Sequence, residues 1–161
     1  MNSTPRFKTN HLLAVLAPVV LVVVSSLGDL AAQSAATLPA KVDGDVSGLS
    51  VELTSVQKTG DTITVRFKYI NSSDKGIFMR GQIGGQVDDK IYYVDAKNKK
   101  KYLVIRDTEQ KALASDMHEL DLKAGETRGC WAKFPAPPSD VTAISVYIPG
   151  APPFENVSIT Q

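Results

Sequence analysis

Cysteine, histidine and tryptophan are scarce in this chain, with one Cys, two His and one Trp among 161 residues. Because Cys130 stands alone, no internal disulfide can form, and a domain of this composition must rely on its hydrophobic core. His118 is the only histidine beyond residue 40, which leaves too few His and Cys ligands for a zinc site. No Gly-x-Ser-x-Gly elbow occurs, so the serine-nucleophile signature of the α/β-hydrolases is missing. Neither sign of charge is in excess, with 18 Lys and Arg against 17 Asp and Glu. That balance points to neither a nucleic acid nor an anionic membrane as partner. The one strongly apolar run, residues 12–24, contains Pro18 and falls short of the roughly 20 residues a transmembrane helix needs.

What surrounds that run assigns it a role. Arg6 and Lys8 precede it, and Gly28-Asp29 and the small residues of 31–36 follow it. A basic head, an apolar middle and a small-residue tail form the order of a secretory leader. Cleavage is expected after Gly28, Ser34 or Ala36, which makes residues 1–36 a signal peptide, 37–48 a linker and 49–161 one folded domain. Counted out to Gly28, the apolar run nears the lower limit of a span, so an uncleaved anchor is the alternative. Membrane attachment is expected only in that case. No cysteine lies near the boundary, which excludes a lipobox lipoprotein, and no Arg-Arg pair is present for twin-arginine export. The expected location is extracytoplasmic, periplasmic or secreted. Removing the leader takes Arg6, Lys8 and, for the later sites, Asp29, which leaves a domain of zero net charge. About 125 residues suffice to bury roughly two-thirds of the unfolded surface.

Beyond the leader the apolar period is two. In residues 62–69, Ile63, Val65, Phe67 and Tyr69 face one way and Thr62, Thr64, Arg66 and Lys68 the other, the pattern of a half-buried strand. Val51-Glu52-Leu53 alternates likewise and slips phase at Val56, which predicts a bulge near Thr54-Ser55. Thr59-Gly60-Asp61 joins the two runs as a hairpin turn, and residues 71–76 form a polar turn after the second. Further strands are predicted over residues 90–95, 101–106, 119–123, 127–134, 143–148 and 156–160, with prolines falling between runs. About eight short strands with no long amphipathic helix predict an all-β, antiparallel sandwich or barrel. The core is expected to contain Ile63, Val65, Phe67, Tyr69, Leu120, Leu122, Ala132, Phe134, Ile144, Val146 and Ile148. Two irregular stretches, residues 80–89 and 107–118, are the natural places for a binding loop.

Several segments occur in a familiar order. Tyr93-Val94-Asp95-Ala96-Lys97-Asn98-Lys99-Lys100-Lys101-Tyr102 is followed by Arg106-Asp107 and Lys123-Ala124-Gly125-Glu126-Thr127. Then come Trp131-Ala132-Lys133-Phe134-Pro135-Ala136-Pro137-Pro138 and Pro152-Pro153-Phe154. Over about residues 50–159 the chain resembles uncharacterised immunoglobulin-like domains of bacterial secreted proteins and lipoproteins. The resemblance implies an antiparallel Ig-like β-sandwich of seven to nine strands outside the cytoplasm, and it implies no catalytic residue. Many such relatives carry a lipobox cysteine, which this chain lacks.

The residue types that perform chemistry give few combinations. His118, beside Asp116 and Glu119, reads as an exposed loop histidine, since a triad needs a distant serine. Cys130 lies mid-strand in phase with Ala132 and Phe134, as a small buried hydrophobe does, and the competing reading is a reactive thiol. Asp43-Gly44-Asp45, Asp88-Asp89 and Asp107-Thr108-Glu109 lack the spacing of a calcium loop and read as solvated turns. Lys97, Lys99, Lys100 and Lys101 suit a hairpin tip. The sequons at Asn71 and Asn156 are incidental in a bacterial exported protein. No catalytic residue, cofactor or metal is therefore expected.

Trp131 shares its strand face with Lys133, and a lysine is almost never fully buried, so that face points to solvent. A large aromatic there is either an anchor for a partner or half-covered by residues 135–138 or a neighbouring loop. The expected function is a non-enzymatic exported module that binds a protein or envelope component, with Trp131, Lys133 and His118 as contacts. The alternative is a small secreted hydrolase or a ligand-binding β-barrel using the 107–118 loop.

Overall fold

The alternation over residues 62–69 builds the longest hairpin of the domain. In the computed structural model, which describes Met1 and residues 36–79, 90–117 and 119–161, β2 (Leu49–Thr59) pairs antiparallel with β3 (Thr62–Asn71). Gly60, at φ 56°, takes the left-handed position that a two-residue turn between Thr59 and Thr62 requires. The register shifts between Leu53 and Ser55, at the bulge that the phase slip predicts, and Val56 thereby stays on the buried face.

β1 (Ala40–Asp43) adds to one side of this hairpin and β8 (Thr127–Pro135) to the other, giving a four-stranded sheet in the order β1-β2-β3-β8. A second four-stranded sheet contains β5 (Tyr92–Asp95), β6 (Lys100–Leu103), β9 (Ala143–Tyr147) and β10 (Phe154–Ser158) in the order β10-β9-β5-β6. β4 (Ile77–Met79) and β7 (Leu120–Leu122) form a two-stranded ribbon. Every pairing within these sheets is antiparallel, and the described residues contain no helix. The domain is all-β.

The two larger sheets share one sandwich-like core. Phe67, Tyr69, Ala132 and Phe134 from the first sheet and Tyr93, Ile144 and Val146 from the second are buried in a single cluster with Leu120 and Leu122 of the ribbon. Polar groups in this interior are partnered: the Tyr69 hydroxyl donates to the Pro149 carbonyl at 2.9 Å and that of Tyr93 to the Pro135 carbonyl at 2.8 Å. All eleven side chains expected in the core from sequence are buried. Phe67→Ala and its equivalents would open cavities in a close-packed interior, not merely expose surface.

Three segments differ from the sequence reading. Residues 40–43, within the expected linker of 37–48, form β1, with Ala40 and Val42 packed on the core and four register pairs to β2. Four residues are too few to show a period, and the open edge of β2 supplies their hydrogen bonds. β4 follows the turn of 71–76 for the same reason, pairing with β7 through Ile77↔Leu122 and Met79↔Leu120. Asn71, which heads that turn, is also a buried bracket between segments. Its Nδ2 donates to the carbonyls of Lys75, Leu122 and Lys123, and its Oδ1 accepts from the N–H and hydroxyl of Ser73. Residues 2–35, where the leader is expected, the stretch 80–89 and His118 lie outside the described residues.

Candidate functional site

Strand alternation sends half of β3 and β8 outward, and the register fixes which of those residues meet. Arg66 lies opposite Trp131, Lys68 opposite Gly129 and Thr64 opposite Lys133. Directly opposed residues on one face have Cβ atoms about 4.5–5.5 Å apart, so these are true lateral neighbours. The rows continue across the sheet: Lys41 of β1 pairs with Glu52 of β2, which pairs with Lys68. Along β8 the inward residues Cys130, Ala132 and Phe134 are buried, which confirms that Trp131 and Lys133 belong to the outer face.

Beyond β8 the sheet is extended by an irregular segment. The Ser115 N–H donates to the Trp131 carbonyl at 2.8 Å, and the Trp131 N–H donates to the Ser115 hydroxyl at 3.0 Å. The Lys133 N–H donates to the Leu113 carbonyl, and the Ile105 N–H to the Lys133 carbonyl. The edge of β8 is thus satisfied over this stretch and does not present a free strand edge. The side chain of Trp131 remains 36% exposed, enough for solvent and solutes to reach the ring. Gly129, two residues before it on the same face, leaves open space: a Cβ built there meets nothing within 4 Å. Gly129 thus leaves a gap one side chain wide in the outward row beside the indole, a notch open to solvent.

The charges around the notch are unevenly matched. Lys68 forms an ion pair with Glu52 at 3.1 Å. Among the described residues, the side chains of Lys41, Arg66 and Lys133 have no hydrogen-bond or ion-pair partner. Trp131 is flanked by Arg66 across the strand and by Lys133 along it, so the only indole of the chain sits between two free cations.

Elsewhere several chemically capable groups hold turns. Asp107 Oδ1 accepts from the N–H groups of Glu109 and Lys111, closing a hairpin in which Arg106 donates to the Gln110 carbonyl. Buried Asp95 accepts from the Asn98 N–H and amide, shaping the lysine-bearing tip between β5 and β6 as the spacing predicts. Lys97 there pairs with Asp140 at 2.5 Å, and Lys101 lies 3.7 Å over the ring of Tyr92, itself stacked on Tyr147. Burial pushes the Cys130 thiol up to about 11, against a smaller opposing pull from the Arg128 charge, so the sulfur is a protonated core group at neutral pH.

Two surface hollows lie elsewhere on the domain. One of about 570 Å³ is lined by Asp121, Lys123, Ala124, Gly125, Glu126 and Arg128. Arg128 there donates to Glu126 at 3.0 Å and to the Asp121 carbonyl. The Lys123 N–H and Arg128 hold the Glu126 carboxyl below its usual range. A second, of about 320 Å³, is lined by Ala96, Ala143, Ile144, Ser145, Glu155 and Asn156. Among the described residues neither joins a nucleophile to a histidine, and no group of three His, Cys, Asp or Glu gathers as metal ligands do. The structure brings Trp131 and Lys133 together and adds Arg66 and Gly129, which sequence reasoning did not single out. The outward phase of Arg66 is visible in the alternation, whereas its partner on β8, 65 residues away, follows only from the register.

No family model matches the chain, and no curated protein or solved structure matches it.

Proposed function

We propose that the chain is an exported, non-enzymatic Ig-like β-sandwich module that binds a protein or envelope component outside the cytoplasm. The binding face is the outer surface of the first sheet. One observation carries this reading: an accessible tryptophan stands beside an open notch at Gly129, between the unpaired cations of Arg66 and Lys133. Tryptophan and arginine are the residues most enriched where binding energy concentrates, and a flanking notch gives a partner side chain somewhere to seat. Support for the sandwich comes from the two four-stranded sheets and their shared core, and for the Ig-like assignment from the sequence resemblance. Among the described residues, every buried side-chain polar atom already has a partner within the fold.

Two measurements test it. N-terminal sequencing of protein from the extracytoplasmic fraction is expected to start between Asp29 and Thr37, and an intact Met1 in the membrane pellet would replace export by anchoring. A photo-crosslinking amino acid is then placed at position 64, opposite Lys133 on the binding face, or at position 101, on the outer face of the second sheet. In the producing cells an adduct is expected at 64 and absent at 101. Equal labelling at both positions, or none at 64, removes the face.

A further inference from the structure

We infer that the occupant of this face is a carboxylate-bearing protein segment that seats one apolar side chain in the notch between Trp131 and Gly129, an inference that rests on the binding face proposed above. The charge pattern selects an acidic partner. Of the charged residues in the three adjoining rows, Lys41, Arg66, Lys68 and Lys133 are cations and Glu52 is the one anion, already taken by Lys68 at 3.1 Å. A partner carboxylate next to Arg66 or Lys133 gains a charge-assisted hydrogen bond without breaking an existing pair.

The same pattern argues against other occupants. A second copy docking by two-fold symmetry would place this cationic patch against itself, since such an interface uses one surface twice. A polyanionic polymer is held by extended cationic tracts, whereas this chain is balanced at 18 basic against 17 acidic residues and has no long-range field to retain one. Nor does a polyanion have any use for the indole and the notch. Local complementarity of charge combined with an apolar seat is instead what a folded or extended protein segment recognises. Gly129 is central to this because its missing side chain creates the seat, and an added side chain there meets no obstacle from the fold.

The probe is a short, tryptophan-free peptide of alternating glutamate and leucine, titrated into the full chain while the emission of Trp131, the sole indole, is followed. A saturable blue shift is expected. It should be absent with the lysine–leucine counterpart and with polyglutamate, which lacks the apolar side chain. Arg66→Glu and Gly129→Gln should each weaken the response by about tenfold or more, the scale of a residue at an interface centre. Lys101→Glu, on the other sheet, should leave it unchanged. Arg66→Gln gives a milder second variant, and an unaltered thermal transition verifies that each variant is folded. An equal response to the lysine–leucine peptide overturns the proposal, as does tight polyglutamate binding that survives Gly129→Gln. If position 64 crosslinks in cells while the acidic peptide leaves Trp131 unmoved, the acidic occupant is wrong and the face stands. Loss of the crosslink itself removes the face.

Discussion

Tyr93 of β5 meets Phe134 of β8 edge-on, with ring centroids 5.5 Å apart and planes at 79°. Each ring belongs to a different sheet, so this contact and the bond from the Tyr93 hydroxyl to the Pro135 carbonyl fasten the two layers together. Tyr93 also stacks on Tyr102 at 4.5 Å, which extends the aromatic contact to β6. Such an edge-on pair contributes about 0.5–1.5 kcal/mol beyond its buried area. A double-mutant cycle of Tyr93→Leu and Phe134→Leu, read by urea unfolding, should return a coupling of that size. Strict additivity would mean that the rings do not interact across the layers.

Core and surface positions of one strand should separate cleanly. Phe67 is buried and Thr64 faces outward two strands from the sheet's β1 edge. Phe67→Ala is expected to cost about 3–5 kcal/mol, and Phe134→Ala about as much, because neither cavity can collapse in a close-packed sandwich. Thr64→Ala should fall within about 1 kcal/mol of the parent. Equal losses at positions 64 and 67 would contradict the assigned faces.

Cys130 makes a prediction about alkaline stability. Burial raises its thiol from 9.0 in the unfolded reference to about 11 in the fold. A group whose folded value is raised contributes stability that is complete below the unfolded value and is lost as pH climbs through the folded one. The window is therefore pH 9 to 11, and Cys130→Ala should flatten the decline across it in denaturant titrations. Tyr69 and Tyr93, also raised by burial from 10.0, should keep both proteins losing stability above pH 10, so the two proteins differ most cleanly between pH 9 and 10. Native protein at pH 8 should react with a thiol reagent only as fast as it unfolds.

Gly129 should tolerate a side chain in the absence of any partner. The built Cβ meets open space, and its backbone lies outside the left-handed region. Gly129→Ala then stabilises by about 0.4–1 kcal/mol by restricting the unfolded chain. A destabilised Gly129→Ala would mean that the notch is closed by the fold.

Asn71 should be sensitive for the opposite reason. Three carbonyls from two segments converge on its Nδ2, and its side chain is fully buried. Asn71→Ala strands these acceptors, and at about 1–3 kcal/mol for a buried unsatisfied group the loss should exceed that of Ser72→Ala several-fold in thermal unfolding.

The all-β class, the bulge at Thr54 and the identity of the core residues could be read directly from the sequence, because a period of two is a local property of consecutive residues. The burial of Cys130 follows from the same phase, since it alternates with Trp131 and Lys133. β1 and β4 could not be read this way: three or four residues carry no period, and each exists as a strand because a longer neighbour offers an open edge. Asn71 gave a turn signal that was sound as local chemistry, yet its role as a bracket depends on β7 arriving from 51 residues away. The same distinction governs the candidate site. Trp131 and Lys133 share a face by alternation alone, but Arg66 and the open side of Gly129 join them only through the pairing of β3 with β8. Pairing over such separations is decided by which registers let both sheets bury their apolar faces at once, and that is a property of the packed structure, not of any one stretch of chain.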